Sequence, residues 1–253
     1  MRYVPLALVI VAAAILLWHG PIVQFADYHM FADGRVWLGI PNAVDVLSNL
    51  GFLGVGIWGF WHLWPLRSTP ALSQSWPGHS VFLVALIMTA AGSSFYHLMP
   101  DNARLVWDRL PISLACAGLL QGFRAEAQGA THPIRESFIF IAAAILSVGW
   151  WVVTDQNGAG DLRPYLLLQT APLVLIPLWQ MIYAASMADR RLTLIAILLY
   201  VLAKIAELLD YQIFAILNFI SGHSLKHLLA AAAAYLLVQR LLYYRVGTGV
   251  SPR

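Results

Sequence analysis

Eight long apolar stretches, at 4–19, 43–64, 79–99, 105–126, 134–153, 164–187, 192–217 and 222–244, decide what this chain can fold into. The hydrocarbon core of a bilayer is about 30 Å thick and is crossed by about 20 helical residues, so each stretch is a candidate span. Pro, Gly, Asp and Arg cluster in the breaks, where turns need them. The 253 residues are 60% apolar and 11% charged, with a mean hydropathy of +0.72, which is no balance for a water-soluble globule. No stretch repeats another, and none is left over for a soluble domain. The expected fold class is therefore all-α, a polytopic transmembrane helix bundle forming one integral-membrane domain over residues 1–253.

The composition closes several other routes. A single cysteine, Cys116, excludes an internal disulfide framework and a cysteine zinc cluster. No basic patch interleaved with aromatics suggests nucleic acid. The first stretch follows Arg2 as a signal peptide would, but no small-x-small cleavage site follows it at Trp18-His19-Gly20-Pro21, so it reads as an uncleaved anchor. With the N-terminus inside, eight spans return the C-terminus inside. Arg2, Arg67, Arg124, Arg135, Arg190, Arg191, Arg240, Arg245 and Arg253 then lie inside, and Arg35, Arg104 and Arg163 lie outside among Asp27, Asp33, Asp101, Asp155 and Asp161. That is the arginine asymmetry of the positive-inside rule.

Against this apolar background, His97, Asp108, His223 and His227 stand out. An ionisable side chain in lipid costs several kcal/mol, so such residues mark function or a specific partner. His223 and His227 are spaced i, i+4 and share one helix face. The topology brings all four to the outer end of the bundle, where the third span ends and the fourth and eighth begin. Three neutral imidazoles can bind zinc and leave a fourth position open for water. The metal brings that water's pKa from 15.7 to about 7 and polarises a carbonyl. Asp108 is then the candidate general base. Ser93, one turn before His97, is the candidate donor to the water or to a developing oxyanion. Each residue also has a plainer reading: a membrane histidine can bridge helices, an HxxxH pair can be structural or hold haem, and Asp108-Arg109 can be an interfacial ion pair.

Three blocks carry a resemblance. The stretch GSSFYHLMPDNARLVWDRLP, with Ser93, His97 and Asp108 followed by Leu110-Pro111, and HSLKH in the last stretch are similar to motifs of the alkaline ceramidase family. NAVDVLSN, from Asn42 to Asn49, resembles the first core helix of that family, a superfamily of seven-helix membrane hydrolases and receptors. The blocks run in order from about Asp27 to Tyr235. The resemblance implies a seven-helix core at 42–244, preceded by an anchor helix and outer loop at 1–41. It implies zinc held by His97, His223 and His227, with Ser93 and Asp108 beside the metal-bound water. It implies hydrolysis of the amide bond of a ceramide or related N-acyl lipid to a fatty acid and an amine, with the substrate entering from the bilayer. DYHMFADGR and LGIPN look more like bacterial relatives, which favours a bacterial inner membrane with the site facing the periplasm; an endomembrane with a luminal site fits the same topology. DYHMFADGR keeps Asp27 but has Met30 and Ala32 where a calcium site of the family wants oxygen ligands, too few for the six to eight oxygens of calcium.

The remaining intramembrane polar residues are expected to be structural. Lys204, Glu207 and Asp210 share a helix face and can pair with one another. Asp45, Ser48 and Asn49 suit interhelical hydrogen bonds. Trp58, Trp61 and Trp64 suit an interfacial belt beside Arg67, and the alanines at 230–234 allow close helix approach. In the outer loop, Asp27, Asp33 and Arg35 suit an ion-paired staple. Two functions of other classes remain open beside the hydrolase. One is a seven-helix receptor or regulator with a structural zinc, and the other an ion or proton transporter using Lys204, Glu207, Asp210 and the histidines.

Overall fold

A computed structural model describes residues 3–246, and among these the chain is helical with no β-strand. Arg2 and Arg253, used above for orientation, lie outside the described residues, as does the side chain of Arg245. The helices are α1 (Val4–His19), α2 (Ala43–Ser48), α3 (Leu50–Leu63), α4 (Trp76–Leu98), α5 (Asn102–Gln128), α6 (Pro133–Gln156), α7 (Arg163–Ile182), α8 (Met187–Leu208), α9 (Asp210–Leu217) and α10 (Gly222–Arg240). Their starts follow local chemistry. Proline occupies the first positions of α1, α4, α6 and α7, where its missing N–H costs nothing. Asp101, Ser186 and Ser221 cap α5, α8 and α10, accepting from the backbone N–H of Arg104, Asp189 and Ser224.

Five spans are long and apolar enough to cross a membrane: Ala43–Leu66, Trp76–Leu98, Pro133–Gln156, Arg163–Ile182 and Gly222–Tyr243. Counting the bent pair α8 and α9 as one span gives six. The chain is thus an integral multi-pass membrane protein in its architecture. Large apolar side chains such as Phe138, Leu146 and Ile216 point outward, and the interior holds polar side chains such as Gln121 and Ser113 among apolar ones such as Leu83 and Val238. α5 is long enough at 27 residues, but it carries Arg104, Asp108, Arg109, Arg124 and Glu126; Asp108 and Arg109 are buried within the bundle.

Two elements depart from expectation. α1, at 16 residues, is a shorter apolar helix than the spans. The stretch 192–217 reads as a single span, yet it breaks at Leu209 and turns by 84° into α9. The first residue after the break, Asp210, explains the turn. Its Oδ1 accepts from the backbone N–H of His223 at 2.7 Å, and its Oδ2 from that of Ala32 at 2.9 Å. A charge-assisted bond to the start of α10 replaces helix continuation. Gly222 completes the junction, because a Cβ there would collide with the Ala206 carbonyl and the Asp210 backbone.

At the end opposite this junction, Arg240 of α10 pairs with Glu126 of α5 and Asp189 of α8, and His79 Nε2 meets Glu126 Oε1 at 2.7 Å. This buried cluster ties four helices, α4, α5, α8 and α10, together at that end. Of the expected tryptophan belt, Trp61 faces outward and Arg67 lies over the Trp64 ring at 4.3 Å, while Trp58 packs on Tyr235.

Candidate metal centre

Helices α4 and α10 bring the three histidines together. His97 sits in the last turn of α4, and His223 and His227 project from the first two turns of α10. One ring nitrogen from each lies within 4.8 Å of the others, and all three residues are buried. The Nε2 atoms of His97 and His223 are 3.2 Å apart. Such a group can hold a metal ion.

The surroundings of His227 decide which nitrogen it offers. Ser48 Oγ donates to the Asp45 carbonyl at 2.9 Å and lies 2.8 Å from His227 Nδ1. With the one Ser48 hydrogen on the Asp45 carbonyl, Ser48 accepts from Nδ1–H of His227. In that tautomer Nε2 keeps its lone pair for a metal, the arrangement in which a hydrogen-bonded ligand is oriented. The bond runs from α2 to α10. Asp45 strengthens the same contact: its Oδ1 accepts from the hydroxyls of Ser221, at 3.3 Å, and Ser224.

Asp108 and Ser93 line one cavity together with His227. They are neighbours because Gly92 lets α4 touch α5: a Cβ at Gly92 would overlap the Trp107 carbonyl. The Ser93 hydroxyl is buried beside the Asp108 carboxylate, its hydrogen-bonding neighbour. A hydroxyl and a carboxylate side by side near the histidines fit a water, the one as donor and the other as acceptor. The residues present therefore fit a metal with an open position. The cavity continues inward beside Ala230, Ala233, Ala234 and Leu237 of α10. From Lys226 to Leu237 that path is about 16 Å, near half the thickness of the hydrocarbon core.

The outer loop between α1 and α2 covers the site. Phe31 places its ring centroid 4.7 Å from that of His97 and 4.5 Å from that of His223. His29 beside it bonds Tyr96 Oη at 2.9 Å and Asn102 Oδ1 at 2.8 Å. The expected staple forms through Asp33 and Arg35, at 2.7 Å, and Arg35 reaches on to the carbonyls of Asn218 and Phe219. Burial raises the Asp33 pKa, but the hydrogen bonds and charge of Arg35 outweigh it and hold the carboxyl below its ordinary value.

Several expectations need correction. The Asp108-Arg109 pair is not closed as an ion pair: Arg109 Nη2 donates to Gln24 Oε1 at 2.7 Å, and its guanidinium lies 4.2 Å from the Trp151 ring. Lys204, Glu207 and Asp210 do not form one network. Glu207 pairs with Lys204 and also with Lys226, whereas Asp210 serves the helix junction. Ser48, Asp45, Asp210, Glu207, Lys226 and Phe31 all surround the site without having been read as part of it. Only Lys226, standing between the two histidines of HSLKH, carried a direct signal in the sequence.

Compared with family models, curated proteins and solved structures, the chain finds no match.

Proposed function

We propose that this protein is a zinc-dependent intramembrane amidohydrolase that cleaves the amide bond of an N-acyl lipid of the ceramide type. The observation that carries the reading is the convergence of His97, His223 and His227 within 4.8 Å, with His227 on the wall of an apolar cavity that also includes Asp108 and Ser93. Zinc bound by the three imidazoles would supply an activated water and polarise the scissile carbonyl. Asp108 would take the proton from the attacking water and return it to the leaving amine nitrogen. Ser93 would donate to the carbonyl oxygen as charge develops on it. The acyl tail would lie along α10, where alanines leave room for it. Phe31 would keep bulk water from the site, so the substrate would enter from the bilayer.

In this reading the core has seven helices, formed by α2 with α3, α4, α5, α6, α7, α8 with α9, and α10, and α1 precedes it. α5 is the seventh span, its charges turned inward. The motifs of the alkaline ceramidase family fall on the residues in question, and the loop arginines favour a site facing the periplasmic or luminal side. The test is elemental mass spectrometry on detergent-purified protein, wild type beside the His223→Ala/His227→Ala double variant, followed by an N-acyl lipid panel. About one zinc per chain, lost in the double variant together with fatty-acid release, is the expected result. Carefully prepared wild type without zinc would overturn the reading.

A further inference from the structure

Lys226 enters the site with the histidines that flank it. Its Nζ lies 2.9 Å from Glu207 Oε1 and 2.9 Å from His223 Nε2, and its side chain is 16% exposed on the cavity wall. Lys204, one turn before Glu207 on α8, takes the other oxygen of the same carboxylate and also lines the cavity. Two ammonium groups thus share one acid. An imbalance of this kind is costly in a low-dielectric wall unless a counter-charge arrives. The other acid on the wall, Asp108, belongs to α5 and is needed beside the reacting amide in the proposed chemistry. A cation at the imidazoles adds further positive charge. It also takes the His223 Nε2 lone pair toward which Lys226 now donates, which leaves the cavity as the direction open to that ammonium.

We infer that Lys226, backed by Lys204, binds an oxyanion on the head group of the substrate. The substrate class is then an N-acyl lipid whose amine part carries a carboxylate or a phosphate close to the amide, rather than a neutral alcohol as in ceramide. The acyl chain occupies the alanine-lined path, the amide faces Asp108 and Ser93, and the head-group anion meets Lys226. Lys226 is a specificity residue in this assignment, since it touches the substrate at a charge that takes no part in bond breaking. The word substrate and the reservation of Asp108 for the reacting amide rest on the hydrolase reading; the sharing of one carboxylate by Lys226 and Lys204 does not.

Three matched lipids separate the possibilities: N-palmitoylglycine, N-palmitoylethanolamine phosphate and neutral N-palmitoylethanolamine. Hydrolysis is measured with the zinc-loaded protein, and binding of the same lipids is measured by thermal shift on zinc-depleted protein. The wild type should favour one or both anionic lipids in kcat/KM and in binding, the preferred one telling carboxylate from phosphate. Lys226→Met should reduce the anionic-to-neutral ratio by about 10- to 100-fold, the range for a charge-assisted hydrogen bond. Lys226→Arg should restore much of it, which a merely structural role would not require. Equal handling of the three lipids, or an unchanged ratio in Lys226→Met, overturns the anion site and leaves the hydrolase standing. If no lipid is cleaved, the hydrolase reading fails, and the binding ratio in the zinc-depleted protein still decides the anion site.

Discussion

Replacing Ser48 by alanine should weaken zinc binding about tenfold, within the 10- to 100-fold range for removing a group that orients a ligating imidazole. The magnitude follows from hydrogen-bond accounting. Ser48 Oγ, 2.8 Å from His227 Nδ1, spends its one hydrogen on the Asp45 carbonyl and so accepts the imidazole proton. In Ser48→Ala that buried N–H loses its acceptor, at a cost of about 1–3 kcal/mol, and the ring is free to turn its Nε2 away. The Asp45 carbonyl, relieved of Ser48, is the nearest substitute, although Asn49 Nδ2 already donates to it at 2.9 Å. Partial replacement sets the expectation near the lower end, about 1.4 kcal/mol for tenfold. The assay is competition for zinc against a fluorescent chelator in detergent. Ser94→Ala is the control, because its hydroxyl donates to the Val46 carbonyl at 3.2 Å and so holds α2 to α4 without touching a histidine. Wild-type affinity in Ser48→Ala, or equal weakening in Ser94→Ala, would refute the tautomer argument.

Asp108→Asn should keep its zinc and lose about 10²- to 10⁴-fold in kcat, the usual contribution of a positioned acid–base group; full activity would remove Asp108 from the reaction. Phe31→Ala should let a chelator in the external buffer strip zinc several-fold faster, as followed by stopped-flow fluorescence, and an unchanged rate would mean that the ring does not seal the site. In the loop before α7, burial raises the Asp161 pKa, but the bonds from Arg163, Trp150 and the backbone N–H groups of Arg163 and Ile22 prevail and hold it at about 2. A carboxylate with a lowered folded pKa contributes stability that is complete above its unfolded value, about 3.9, and is lost as pH falls through the folded one. Melting curves should therefore show an acid limb between about pH 4 and pH 2 that is shallower in Asp161→Asn, whose melting temperature is already lower at neutral pH; identical limbs would exclude the assignment.

Hydropathy located the helices well because a bilayer demands long apolar runs, and their edges fall within a few residues of the stretches read from sequence. What hydropathy could not see was a change of direction inside one run. The break at Leu209 is made by Asp210 bonding residues far away in sequence, His223 and Ala32, so nothing local to 192–217 announced it. The same reason hid Ser48: it sits in a short helix far from His227, and only the meeting of α2 with α10 gives it a role. The histidines were legible because rarity in lipid and i, i+4 spacing are both local signals. Glu207 was legible as a pairing partner of Lys204, but its second partner on α10 was not, since two helices must pack before one acid can serve both.

The depth at which the polar groups lie also bears on the choice between hydrolase and transporter. A proton path needs hydrogen-bonding groups at short steps across the bilayer. Here charged groups gather at two levels. One, beside the histidines, holds Asp108, Lys204, Glu207 and Lys226, and the other, at the opposite end of the bundle, holds Glu126, Asp189 and Arg240. Between them the cavity wall is mostly apolar, with Leu86, Ile112, Leu119 and Ile176 along it, interrupted by Gln169, Thr193 and Tyr200, and the hydroxyl of Thr89 turns back to its own helix at the Ala85 carbonyl. A wall of this composition suits an acyl chain. The cluster of Arg240 with both Glu126 and Asp189 has the closed pairing of a structural clamp. The cluster by the histidines is less evenly matched, with Lys204 and Lys226 sharing the one carboxylate of Glu207 on a cavity wall.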